Sequence, residues 1–112
     1  MTQSFDARLF DIVIPSGSNV TRSISGAYEY SDAVAITIQS PATLDALTFT
    51  IEISNDGTNW ATMSDGTNNI PVPAAGKAIQ YTDMLGARAW RIKASGNVAA
   101  DRTFLVSKQW TA

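Results

Sequence analysis

Apolar residues recur at every second position along most of this chain. In RLFDIVIP, Phe10, Ile12 and Ile14 share one face, and Leu9, Asp11 and Val13 share the other. Pro15 ends the run, and SGSN turns the chain. VTRSIS places Val20 and Ile24 in phase, and AVAITIQ aligns Val34, Ile36 and Ile38. LTFTIEIS alternates most regularly: Leu47, Phe49, Ile51 and Ile53 against Thr48, Thr50, Glu52 and Ser54. NWATM, KAIQYT, ARAWRIKAS and RTFLVSKQW complete the set, with Arg88, Trp90, Ile92 and Ala94 opposite Ala89, Arg91 and Lys93. No segment keeps helical spacing, although TDMLGARA has room for one turn of helix.

About eight short strands with turn signals every 8 to 12 residues predict an all-β fold. One-sided alternation suits antiparallel sheets with a wet outer face. The expectation is a single antiparallel β-sandwich, jelly-roll or Ig-like, over residues 9–112, preceded by an N-terminal arm over residues 1–8. SDGTNNIPVPAAGKA departs from the pattern. Pro71 and Pro73 remove two amide donors on one side of a strand, so an edge strand or extended arm is expected there.

The chain has 112 residues, enough for one domain. Charged residues are only 16% of it, so Ser, Thr, Asn and Gln supply much of the polar surface. Net charge is −2, which gives no basic field for nucleic acid. No apolar run approaches the ~18 residues of a membrane span, and the N-terminus lacks the features of a secretory signal. A protein made without export is expected. Neither Cys nor His is present. That removes disulfides, thiolate nucleophiles, the common zinc sites and His-based acid–base catalysis.

The chain says DGTN twice, from Asp56 and from Asp65. A calcium loop would need further acids at alternate positions and a later Glu, and neither copy supplies them. Asp-Gly between alternating apolar runs is instead a hairpin signal, because Gly accepts positive φ and Asp tolerates the left-handed region. The two turns then frame a short strand from Trp60 to Met63. The ten carboxylates are scattered, mostly in predicted turns, so no facing pair for glycoside hydrolysis stands out. A Ser nucleophile lacks both its His and its elbow motif. No catalytic residue, metal or cofactor is expected.

The aromatic side chains suit a core or an interface. Trp110, close to the C-terminus, is an interface candidate, as are Phe5 and Arg8 of the arm. If the chain instead bound carbohydrate, Trp60, Trp90 and Tyr81 would be the rings to stack on a sugar.

TFTIEISNDGTNWATM followed by ARAWRIKASGNVAADRTFLV resembles a recurrent family of small tailed-phage virion proteins. Their pattern is an apolar strand leading into S-x-DG-x-x-[FW], then an Arg-aromatic-[IL]-R strand and an Ala-Asp-Arg loop before a last hydrophobic strand. The upstream AVAITIQSPATLDALTFTIE is similar too, and the likeness spans roughly Ser25 to Val106. The S-x-DG-x-x-W element alone also resembles a hairpin of discoidin-type sandwich modules, but their cysteines are missing here. The phage resemblance implies a non-enzymatic β-sandwich assembled into a virion in the host cytoplasm. It would be a capsid decoration or cement protein on the major capsid protein, or a tail or neck component. A homo-oligomer is expected, a trimer above all, without nucleic acid or membrane. The alternative is a carbohydrate-binding module.

Overall fold

The computed structural model describes residues 5–25, 35–82 and 88–111, excepting the side chains of 5–8, 25 and 109–111. These residues form eight strands: β1 (Phe5–Ile14), β2 (Ile24–Ser25), β3 (Ala35–Gln39), β4 (Phe49–Ser54), β5 (Ala61–Thr62), β6 (Ala78–Tyr81), β7 (Ala89–Ala94) and β8 (Arg102–Thr111). They make two four-stranded sheets, sheet A in the order β1-β8-β3-β6 and sheet B in the order β2-β7-β4-β5. Every ladder is antiparallel. The first strand pairs with the last, the second with the seventh, the third with the sixth and the fourth with the fifth. The chain is thus one long hairpin with its tip between β4 and β5, rolled into two layers. Rolling brings β3 beside β8 and β4 beside β7. This is jelly-roll connectivity, which decides between the two sandwich types expected.

The alternation explains which side of each strand faces the other sheet. Ile12, Ile14, Ile36, Ile38, Phe104 and Val106 of sheet A are buried against Ile24, Ile51, Trp90 and Ile92 of sheet B. Phe49 meets Phe104 across the gap with ring centres 6.3 Å apart. Full burial of one such side chain is worth about 1.5–3 kcal/mol relative to exposure, so ten of them dominate the stabilising terms. Several are Ile, whose branched Cβ suits a pleated surface.

One end of the sandwich is tied by its loops. Gly17 donates its amide to the Val98 carbonyl at 2.9 Å, and Val98 donates to the Ser18 carbonyl at 2.9 Å. Ser16 donates its amide to Asp101 Oδ1 at 2.8 Å. Asp45, in the β3–β4 loop, accepts from Arg102 Nε at 2.7 Å and from the Ala99 amide at 3.0 Å. The Arg102 bond, followed by the Ala99 amide, holds the Asp45 carboxyl below its ordinary range. The β4–β5 turn marks the opposite end.

Several elements depart from the expected boundaries. The arm expected over residues 1–8 is strand from Phe5 onward, because β8 is long enough to offer Phe5–Arg8 a partner at every position. A ladder needs backbone groups, so the mixed side chains of FDAR did not announce it. The strand expected around Val20 shortens to Ile24–Ser25, with Val20 bridging Lys93 alone. Between them Thr21 turns inward and its hydroxyl accepts the Ile92 amide at 3.1 Å. The proline segment is extended: Pro71 bridges Thr50, and the Pro73 carbonyl accepts from Ser40 Oγ at 2.7 Å. Val34 and the helical turn expected in TDMLGARA lie on residues outside those described, apart from the latter's two ends.

Candidate interaction surface

The two DGTN turns are built alike. Asp56 Oδ1 accepts the amides of Thr58 at 2.8 Å and Asn59 at 2.7 Å, and Asp65 Oδ1 accepts those of Thr67 at 2.9 Å and Asn68 at 2.8 Å. The Asp56 bonds are reinforced by Asn59 Nδ2, which donates to Oδ2 at 2.7 Å, and by the Ser54 hydroxyl. Gly57 and Gly66 follow with φ of 80° and 100°, where a Cβ would be strained. These N–H bonds, chiefly from Asn59 and Asn68, hold both carboxyls well below the usual carboxylate range. The carboxylates therefore act on their own turns. Among the described residues no three acidic side chains gather as a metal ion would need.

Of the three rings proposed for a sugar, two are buried. Trp90 is 0% exposed and Tyr81 4%, so neither offers a stacking surface. The physical reason is register. Trp90 shares its face of β7 with Ile92 and Ala94, and Tyr81 of β6 lies opposite Ile36. The Tyr81 hydroxyl donates to the Pro71 carbonyl, and burial pushes its ionisation upward. Among the described residues the buried Trp90 indole N–H has no acceptor. Trp60 alone is half-buried, under the guanidinium of Arg91, whose Cζ lies 4.1 Å from the ring centre.

That guanidinium belongs to a charged cluster on the outer face of sheet B. Arg91 Nε and Nη2 both lie 2.7 Å from Glu52 Oε1, and Lys93 Nζ is 3.9 Å from Oε2. Glu52 sits opposite Arg91 on one neighbour and Thr62 on the other. Arg88 reaches the Asp56 carbonyl at 3.3 Å. The cluster is largely satisfied internally.

The outer face of sheet A differs. Two rows cross all four strands: Leu9, Ser107, Thr37 and Gln80, then Asp11, Leu105, Gln39 and Ala78. Asp11 is the one charged residue in these rows. Leu9 is 66% exposed and Leu105 37%, the two exposed large hydrophobics among the described residues. They lie diagonally across the β1–β8 ladder, close enough for their side chains to form one patch. Leu9 and Leu105 were missed as candidates by sequence reasoning. The available signal was that the second face of β1 is also apolar.

The interface candidates gather at one end of the same sheet. Phe5 pairs with Thr111, Asp6 with Trp110 and Arg8 with Lys108, so the backbones of Phe5, Arg8 and Trp110 lie together at one end of the β1–β8 ladder. Their side chains lie outside those described. At the tied end of the sandwich, Leu44, Leu47, Phe49 and Val72 help line an open groove of about 350 Å³. Asp45 is its one ionisable lining residue, and its bonds to Arg102 and Ala99 already engage both carboxylate oxygens. No protein-family model matches this chain, and no curated protein matches it.

Proposed function

We propose that the chain is a structural protein of a phage virion, a decoration or cement subunit that binds the major capsid protein and performs no catalysis. The nearly uncharged outer face of sheet A carries this proposal. A nearly charge-free surface with two exposed leucines suits docking onto a repeated protein lattice, since charged residues are depleted at the centres of interfaces. The likeness of TFTIEISNDGTNWATM and ARAWRIKASGNVAADRTFLV to small virion proteins supports it further. Assembly on a symmetric shell favours a symmetric oligomer, because one contact patch must recur.

Cosedimentation of the purified protein with expanded shells of its parent phage tests the proposal. The wild type is expected to saturate the shells. The variant carrying Leu105→Glu and Thr37→Glu, which places charge in both rows, is expected to bind at least tenfold more weakly while keeping its fold. Undiminished binding of that variant would contradict the assignment of the face.

One observation favours a second reading, in which the outer face of sheet B binds a glycan. Trp60 is half-exposed beside Glu52 and Arg91, a ring next to polar groups of both signs. A glycan array followed by Trp60→Ala tests it, and an array without hits removes it.

A further inference from the structure

We propose that β1 is the edge through which two copies of this chain join, antiparallel and side by side, extending sheet A into one eight-stranded sheet. The proposal does not rest on the virion assignment. An open sandwich has four sheet edges, each a row of backbone groups able to pair with another strand. Among the described residues three of them are blunted. β2 and β5 are two residues each. β6 has four residues and is approached through Pro71, Pro73 and Lys77. β1 has ten residues, contains neither Pro nor Lys, and among the described residues pairs with β8 alone. A long strand left open on one side, when the other edges are blunted, is a pairing site.

Register and charge select a second copy as the occupant. Residues directly opposite in an antiparallel pair share a face. A two-fold axis that keeps core face beside core face must therefore pass through a residue of β1, not between two. An axis at Asp11 would set like charges opposite each other. An axis at Leu9 lets residues 5–13 of each copy pair. It also sets Leu9 against its own copy on the outer face. The side chain left 66% exposed in the single chain then gains an apolar partner. With Leu105 diagonal to Leu9 in each copy, the two small patches merge into one across the two-fold. Edge-to-edge pairing of identical strands is isologous and closes at two copies. A two-fold thus replaces the trimer expected from the sequence.

Sedimentation equilibrium of the full chain, without any shell present, measures the result. The expected mass is twice that of the 12.0 kDa chain. Leu9→Lys, which opposes two ammonium groups at the axis, is expected to weaken the dimer at least tenfold with an unchanged circular dichroism spectrum. Because the chain has no cysteine, Leu9→Cys provides a second measurement. Under oxidation it is expected to form a disulfide-linked dimer, whereas Val13→Cys, opposite residue 5 of the copy, is not. A wild-type chain that remains at 12.0 kDa up to millimolar concentration overturns the proposal. So does efficient cross-linking through Val13→Cys without cross-linking through Leu9→Cys.

Discussion

Asp56 and Asp65 stabilise the fold only while ionised, because each carboxylate accepts amides two and three residues ahead. Their folded-state values lie below the unfolded value of about 3.9. The stabilisation is therefore complete above that value and is lost as pH falls through it towards the folded values. Asp45 acts in the same direction through Arg102 and Ala99. Tyr81 has the opposite sign: its folded value is raised, so stability falls as pH rises past the unfolded value of about 10. With no His or Cys in the chain, Tm is expected to be flat between about pH 5 and 8 and to drop below about pH 4. Thermal unfolding across pH checks this, and a step near pH 6 to 7 would contradict it. Gly57→Ala and Gly66→Ala should each destabilise by about 1–2 kcal/mol in urea titrations, the strain of a Cβ in the left-handed region. Trp90→Ala should cost about 3–5 kcal/mol by the same measurement. Trp60→Ala should cost about 0.5–1 kcal/mol, the scale of its cation–π contact. The burial of Trp90 was legible in the sequence, since the alternation of ARAWRIKAS already sets it with Ile92 and Ala94. The meaning of the doubled DGTN was legible too, because Asp-Gly between alternating runs specifies a turn.

Among the elements, alternation located the strands well where side chains are sorted by face and poorly where only the backbone pairs. β4 and β7 are within a residue or two of their expected spans. The first four residues of β1 escaped notice because β8 supplies their ladder whatever their side chains. Removal of residues 1–8 would therefore cut four rungs of the β1–β8 ladder and lower Tm, beyond any effect on assembly. The Glu52–Arg91 pair was also hidden, since it depends on which strand lies beside β4. Glu52 is 8% exposed and opposite Arg91. Arg91→Ala, which leaves that carboxylate with Lys93 at 3.9 Å, should destabilise by about 1–3 kcal/mol. Glu52→Gln, which removes the more deeply buried charge and keeps an acceptor for Arg91, should cost less. Urea titration of both variants decides the order, and equal losses would show that Glu52 is well solvated.

For the whole molecule, periodicity of two says that a residue faces in or out but not which strand is its neighbour. The sandwich was legible for that reason, and the rolled-hairpin order was not. The same limit hid the proposed docking surface. Leu9 and Leu105 are far apart in sequence and become one patch only because the first and last strands pair. Sheet A then presents a nearly uncharged outer face, while sheet B keeps its charges in a cluster of their own. On the proposed reading, the outer face of sheet A and the edge of β1 are where this protein meets its partners. Amide hydrogen exchange of the protein, diluted until the β1 pair dissociates and again when bound to shells, decides it. Added protection is expected in β1, β3 and β8. Protection confined to the Trp60 and Arg91 side of sheet B, or to the groove between Leu47 and Val72, would contradict it.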